Sequence, residues 1–134
     1  MSKRKYIKSI FTDDRGKIYD IFVREPKDHC ALVTFNKDSV RGNHFHKKSI
    51  QSAFILDGIF KIYETKVDKN GEFDEKNVRI IEVQKNCYVT HNAYEAHMYT
   101  CLSNRGSIIV FTKGIRGGKY YEEDTYKLKK KLTN

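Results

Sequence analysis

The chain of 134 residues has the length of one domain and can bury a hydrophobic core without disulfides or structural metal. Hydrophobic residues make up 39% of it, with nine Tyr and eight Phe, which favours a packed globule and excludes a disordered chain. Its 26 Lys and Arg residues against 17 Asp and Glu give a formal net charge of +9, which favours anionic partners without choosing among them.

The cysteines and the remaining composition exclude further classes. Cys30, Cys87 and Cys101 are odd in number and lack CxxC spacing, so neither a disulfide framework nor a thiolate zinc site is expected. The N-terminus is charged, and no apolar run reaches the length of a membrane span, so we expect a cytoplasmic protein with no membrane partner. The basic residues are scattered and no familiar nucleic-acid module appears, so no nucleic-acid partner is expected.

The predicted elements are short β-strands along most of the chain. Each is rich in β-branched and aromatic residues, and they lie at 18–23, 30–35, 53–56, 59–63, 78–83 and 108–111. Turn residues separate them, as at Asp57-Gly58 and Asn70-Gly71, and the only proline, Pro26, lies between two of the strands. This pattern predicts a hairpin-rich antiparallel sheet.

An all-β chain of this length must protect its sheet edges, which favours a small antiparallel barrel or jelly roll. A short helix over 122–132 is the one helical element expected, with Leu128 and Leu132 docking it. The lysines of this stretch are expected to form a solvated basic tail. We expect one domain over 1–134, with its core at about 11–126.

The segment around His44 and His46 carries the chemistry. Two residues apart on a strand, these side chains point to the same face and can converge on one metal ion or one substrate. His97 precedes a further strand region and can complete the cluster from the opposite wall. Single buried histidines are usually hydrogen-bonded core residues, and we interpret His29 and His91 in that way.

The spacing of His44, His46, Gln51 and Gly58 resembles the first sequence motif of the cupins. Their second motif is matched in part around His97, where Asn92 and Tyr94 replace the usual Pro and Gly. The resemblance implies a cupin-type β-barrel or jelly roll with the histidines inside.

Within that superfamily the chain resembles the nucleotide-sugar cupins: dTDP-sugar 3,4-ketoisomerases, dTDP-4-keto-6-deoxyhexose 3,5-epimerases and the WxcM-like cupin domains of capsular-sugar reductases. Residues 11–16 (FTDDRG) resemble an early element of the epimerases. Residues 41–48 (RGNHFHKK) resemble the RGxHxHKK of the ketoisomerases, and residues 124–126 (DTY) resemble an ending of the reductase cupins.

The resemblance implies roles for individual residues. His44 would be the proton-abstracting base, with His46 as its catalytic neighbour, and Arg15 and Arg41 would hold a diphosphate. Gln51 and His97 would contact the substrate. A tyrosine would supply the acid; Tyr88, Tyr94 and Tyr99 are the candidates, and we take Tyr94 as the catalytic one.

The function that the resemblance implies is isomerisation or epimerisation of a nucleotide-linked keto sugar in surface polysaccharide biosynthesis, without a cofactor, in a homodimer. Two alternatives stay open. The same His44, His46, Gln51 and His97 could bind a divalent metal and act on another small molecule, although a neutral Gln51 is a poorer ligand than a carboxylate. The chain could also be a sugar-binding cupin with no catalytic step.

Overall fold

A computed structural model describes residues 2–133, and its regular secondary structure consists of antiparallel strands apart from two short 3-10 turns. The strands are β1 Lys3–Tyr6, β2 Phe11–Asp13, β3 Gly16–Ile18, β4 His29–Asn36, β5 Val40–Phe45, β6 Ile50–Asp57, β7 Ile59–Lys66, β8 Arg79–Gln84, β9 Cys87–His91, β10 Glu95–Cys101, β11 Arg105–Lys113 and β12 Tyr126–Lys127. Two single 3-10 turns, Glu75–Asn77 and Gly118–Tyr120, interrupt them.

The strands form two five-stranded sheets and a separate hairpin. The first sheet has the order β1-β9-β6-β11-β4, the second has the order β12-β5-β10-β7-β8, and β2 pairs with β3. From β4 to β12 consecutive strands alternate between the sheets, except that β7 and β8 form a hairpin within the second sheet. The expectation of an all-β antiparallel fold is confirmed, although over residues 2–133 the sheets do not close into a continuous barrel.

The main core lies between the two sheets. Alternate residues of the central strands point inward, and Ile55, Phe60, Ile62 and Val89 are fully buried there. Two smaller apolar clusters cover the outer faces of the sheets, one around Phe54 and Phe111 and the other around Phe45 and Met98. The histidines interrupt this apolar core at one end of the interior, and a site with polar walls can form there.

Five of the six predicted strands are confirmed, and the strand at 18–23 is wrong. β3 ends at Ile18, and residues 19–27 run without strand pairing. The apolar residues that suggested a strand instead pack on the outer face of the first sheet, where Ile21 and Phe22 contact the cluster of Phe54 and Phe111. Hydrophobic pattern alone does not distinguish a paired strand from an extended segment that covers a sheet.

The predicted helix over 122–132 is also wrong. After the 3-10 turn the chain forms β12, which pairs with the end of β5 that carries the histidines. Leu128 and Leu132 are buried as expected. Their backbone N–H groups stabilise an extended path by donating to Asn43: Leu128 N–H donates to Asn43 O, and Leu132 N–H donates to Asn43 Oδ1.

Residues 2–133 include no helix with the length and apolar character to cross a bilayer.

Candidate active site

A bulge in β5 places His44 beside His97. Gly42 pairs with Met98 and His44 pairs with His97, so Asn43 is an extra residue in β5 with no opposite number in β10. Gly42 and Asn43 both have positive φ, of 98° and 62°. A Cβ on Gly42 would lie 2.8 Å from the carbonyl oxygen of His97, so glycine is needed where the two strands approach.

The backbone and carboxylate of Asp124 position His46 at the end of β5. The Asp124 carboxylate accepts hydrogen bonds from the backbone N–H groups of Lys47, Lys48 and Ser49, at 2.8 to 3.0 Å. Its carbonyl oxygen accepts from His46 Nδ1 at 2.8 Å, and His46 Nε2 lies 3.2 Å from Gln51 Oε1. Both ring nitrogens of His46 therefore lie against protein oxygens, and a neutral ring can donate its hydrogen to only one of them.

A second pair of histidines extends the cluster across the cavity floor. His97 Nδ1 donates to the carbonyl oxygen of Glu95 at 3.0 Å, which leaves its Nε2 free for a ligand. The ring of His91 stacks on that of His97 with centroids 4.1 Å apart, and His91 Nε2 lies 2.8 Å from the hydroxyl of Tyr99. Four imidazoles thus share one end of the interior.

These groups line a cavity of about 430 Å³ between the sheets. Its walls are built by residues of β4, β5, β6, β9, β10 and β11, with Gly42, His44, Gln51, His91, His97 and Tyr99 at the polar end. Arg41 and Arg116 lie on its wall as well, and none of the lining residues described carries a carboxylate. The cavity is therefore electropositive and suits an anionic small molecule.

Burial keeps the histidines neutral. Burial, and then the neighbouring charges of His46, Arg116 and Lys127, lower the pKa of His44 to about 3. Burial, followed by His46 and His44, lowers the pKa of His91 to about 3, and burial also lowers the pKa values of His46 and His97. No hydrogen bond joins His44 to another residue in the described chain, so its neutral ring is available to a ligand.

The structure brings together most, but not all, of the residues singled out from the sequence. His44, Gln51, His97 and Arg41 line the cavity, and His46 lies directly behind His44 at 4.9 Å between ring centroids. Arg41 is exposed at the mouth and donates to the carbonyl oxygen of Thr34 at 3.3 Å.

Tyr94 and Arg15 lie elsewhere. Tyr94 has a positive φ of 63° and turns its ring onto Phe45 in the outer cluster, so the geometry gives no support to the expectation that it acts in the cavity. Arg15 is on the exposed β2–β3 hairpin, paired with Asp13, and does not line the cavity of its own chain. Within one chain, Tyr99 is the tyrosine that contacts the histidine cluster.

Arg116, Tyr121 and the place of His91 in the cavity were not predicted from the sequence. Arg116 and Tyr121 flank the second 3-10 turn, which brings them over the cavity, and the guanidinium of Arg116 lies 5.0 Å from the centre of the Tyr121 ring. The glycines at 114, 117 and 118 marked a loop here, but nothing in the sequence showed that it folds over the histidines. His91 lines the cavity although we interpreted it as a core residue. The sequence signal for this position was the alternation along β9, which puts His91 on the same inward face as Val89.

The histidines also meet the first requirement of a metal site. One ring nitrogen from each of His44, His46 and His97 lies within 4.8 Å of the others. Tetrahedral zinc needs nitrogens about 3.3 Å apart, so the rings would have to close in on an ion. His46 Nε2 would also have to leave Gln51, whose amide nitrogen already bonds Thr112 Oγ1 at 3.4 Å. Gln51 is therefore better suited to hydrogen-bond a metal-binding histidine than to coordinate the metal itself.

Comparison with known proteins gives a result at the level of structure only. No family model matches the sequence, and no curated protein matches it either.

Solved structures do match the fold. The ketoisomerase QdtA from Thermoanaerobacterium thermosaccharolyticum, in complex with TDP, superposes with a TM-score of 0.73 at 19% identity, over 96% of this chain and 88% of that one. A 3,4-ketoisomerase from Helicobacter canadensis gives 0.71 at 16% identity, over 89% and 87%. The dTDP-4-dehydrorhamnose 3,5-epimerase from Elizabethkingia anophelis gives 0.71 at 14% identity, over 89% and 72%. The chain therefore has the fold shared by dTDP-sugar 3,4-ketoisomerases and 3,5-epimerases, which confirms at the level of fold its resemblance to the nucleotide-sugar cupins.

Proposed function

We propose that the protein is an isomerase or epimerase of a nucleotide-linked keto sugar, with His44 as the base. The observation that carries this proposal is the neutral ring of His44, which has no hydrogen-bond partner within residues 2–133 and faces a cavity with two arginines and no carboxylate among its described lining residues. A base for proton abstraction must be unprotonated and within reach of the substrate. We extend the proposal to surface polysaccharide synthesis as the pathway that uses the product.

The chemistry begins with removal of the proton on the carbon next to the keto group. The neutral imidazole of His44 takes this proton, the C–H electron pair forms the enolate, and the keto oxygen receives the negative charge. Epimerisation requires the same carbon to be protonated from the other face, by solvent or a second acid, while His44 releases its proton to solvent. Isomerisation requires the hydroxyl proton on the deprotonated carbon to pass to the former keto oxygen, and His44 then returns its proton to the former carbonyl carbon, which moves the keto group. Both ring nitrogens of His46 face protein oxygens, so His46 does not carry the proton. Its part is to pack against the ring of His44.

Arg41 and Arg116 bind the diphosphate in this proposal. Both lie on the cavity wall, and a guanidinium binds phosphate oxygens through two parallel N–H donors. The solved structures with this fold include a point mutant of QdtA in complex with TDP-4-keto-6-deoxyglucose and an RmlC from Streptococcus suis in complex with dTDP-D-xylose. These ligands belong to those proteins, and they guide the choice of probe here.

The catalytic step is tested by hydrogen exchange with the solvent. The protein is incubated with dTDP-4-keto-6-deoxyglucose in deuterium oxide, and deuterium in the sugar ring is measured by NMR. His44→Asn should slow incorporation at least about 100-fold, the usual contribution of a general base. Gln84→Asn shortens an exposed side chain on β8 outside the cavity lining and should exchange like the wild type. Undiminished exchange in His44→Asn would remove His44 as the base.

Nucleotide binding is tested separately. Millimolar dTDP should raise the melting temperature, since a ligand specific for the native state stabilises it by mass action. Arg116→Met should weaken dTDP binding about 10-fold or more, as expected for loss of a charge-assisted contact. The exposed Arg105, at the start of β11, supplies the matched control Arg105→Met. Absence of any thermal shift with dTDP or UDP would end the nucleotide-sugar proposal.

Arg15 enters the proposal through a homodimer. The hairpin that carries it exposes Ile10, Phe11 and Ile18 by 51 to 61%, which gives a second copy apolar surface to cover. Mixing Arg15→Met with His44→Asn subunits tests whether Arg15 serves the neighbouring cavity. The mixed dimer would then contain one intact site and regain activity, and two inactive variants that fail to complement would place Arg15 outside the site.

Metal binding is the second candidate function, favoured by the three histidine nitrogens within 4.8 Å. Protein purified without added metal should then contain close to one divalent ion per chain. His44→Ala and His97→Ala should each lose it, because three ligands are needed to hold it. Metal content near zero in the wild type, with exchange activity intact, would exclude this candidate in favour of the metal-free isomerase.

A further inference from the structure

A fully buried carboxylate, that of Glu64 on β7, lies beneath the histidine cluster. Its Oε1 accepts from Arg79 Nη2 at 2.8 Å, and its Oε2 accepts from the hydroxyl of Ser2. Oε2 also lies 3.9 Å from His91 Nδ1, and that nitrogen is buried with no hydrogen-bond partner in the part of the chain described. The buried charge of Glu64 is therefore held by Arg79 on one side and faces His91 on the other.

This arrangement selects one tautomer of His91. The neutral ring carries a hydrogen on either Nδ1 or Nε2. A hydrogen on Nδ1 directs an N–H dipole at the carboxylate, whereas a bare Nδ1 would direct its lone pair at the same negative charge. The distance of 3.9 Å between Nδ1 and the carboxylate is too long for a hydrogen bond, so the carboxylate favours this tautomer only through its electrostatic field. Burial strengthens that effect because no water screens the two groups.

The tautomer of His91 decides how Tyr99 bonds. With the hydrogen on Nδ1, Nε2 can only accept, so the hydroxyl 2.8 Å away must donate to it. The phenolic hydrogen is then used inside the protein, and the oxygen of Tyr99 keeps only acceptor capacity for a ligand. Burial, followed by the charges of Glu64 and Cys87, raises the pKa of Tyr99, so the hydroxyl keeps its hydrogen.

We propose that Glu64 is a positioning residue that acts through His91 to make Tyr99 a hydrogen-bond acceptor in the cavity, so that Tyr99 selects a sugar bearing a free hydroxyl at the position it meets. The inference rests on the proposed function for the identity of the ligand as a sugar. The tautomer of His91 does not depend on the proposed function, because residues of the protein alone determine it. Tyr99 is accordingly a specificity residue and not the acid of the reaction.

The tautomer is tested by long-range proton–nitrogen correlation on labelled protein without ligand. Wild-type His91 should show a protonated Nδ1 and a bare Nε2. In Glu64→Gln, Arg79 holds the amide oxygen, so the amide NH₂ faces His91 and should shift the hydrogen to Nε2. A wild-type His91 that already carries its hydrogen on Nε2 would overturn the proposal, whatever the Gln variant does.

The selection is tested with dTDP-glucose and its 2-deoxy, 3-deoxy and 4-deoxy analogues, by calorimetry. Tyr99→Phe should weaken dTDP-glucose about 5- to 10-fold, the effect of one lost hydrogen bond, and should leave the affinity for one of the three analogues unchanged. Tyr94→Phe removes a hydroxyl outside the cavity and should change none of the four. Equal weakening of all four probes, or of none, would refute the role of Tyr99. If no probe binds the wild type, the proposed function and the selection fail together, while the NMR result still decides the tautomer.

Discussion

Replacing Asp124 with Asn tests how the site is held together. The Asp124 carboxylate accepts three backbone N–H groups, from Lys47, Lys48 and Ser49, and is only 8% exposed. An asparagine offers one acceptor oxygen, and its NH₂ group would face a donor. Because the N–H groups of Lys48 and Ser49 share Oδ2, an amide oxygen in that position keeps both bonds, and the bond from Lys47 is lost. At about 1.5 to 3 kcal/mol for a bond to a charged group, this loss together with the weakening of the two kept bonds amounts to about 2 to 4 kcal/mol.

Urea unfolding followed by circular dichroism measures this loss as a lower midpoint with an unchanged m value. Glu123→Gln makes the same chemical change at the exposed neighbouring residue and should stay within about 0.5 kcal/mol of the wild type. Burial alone would raise the pKa of Asp124, but the hydrogen bonds from Ser49, Lys47 and Lys48 outweigh it and hold that pKa below its ordinary value. The difference between wild type and Asp124→Asn should therefore be full at pH 7 and shrink at acid pH as the folded carboxyl takes up its proton. Equal midpoints for Asp124→Asn and Glu123→Gln at pH 7 would refute the reasoning.

Three further predictions concern the histidines, the bulge and the C-terminal segment. The pKa values of His44 and His91 are about 3 in the native protein, against about 6.5 unfolded, so the unfolded chain binds more protons between these pH values. The free energy of unfolding should therefore rise from pH 4 to pH 6.5, and less steeply in His44→Asn; a flat profile would contradict the neutral histidines. Gly42→Ala should cost about 2 to 4 kcal/mol in urea unfolding because its Cβ meets His97, whereas Gly118→Ala, with positive φ but nothing within 4 Å, should cost about 1 kcal/mol. Leu132→Ala should cost about 2 to 5 kcal/mol and the exposed Thr133→Ala almost nothing, and equal values would show that the segment after β12 is not packed.

The sequence predicted the strands and the face of the histidines for local reasons. Alternation along a strand puts His44 and His46 on one side whatever the rest of the chain does, and the spacing to Gln51 and Gly58 carried the resemblance to the cupins. The turn signals between the apolar segments likewise followed from glycine and asparagine chemistry.

Features that depend on distant contacts could not be predicted in this way. The pattern over residues 122–132 predicted a helix, but the extended backbone from Tyr126 onward is stabilised by β5 and by Asn43, more than 80 residues earlier in the chain. Arg116 and Tyr121 enter the cavity only because the loop after β11 folds over it. His91 looked like a core histidine because its neighbours Glu64 and Tyr99 lie on other strands.

The bonds from Asp124 to residues 46–49 span 75 to 78 positions of the sequence. The histidine cluster is thus held from outside the cavity, by backbone that does not line it. An antibody fragment or cyclic peptide that separated these two segments would displace His46 without entering the cavity. Conversely, a covalent cross-link between the two segments would stabilise this end of the protein against heat and leave the cavity accessible.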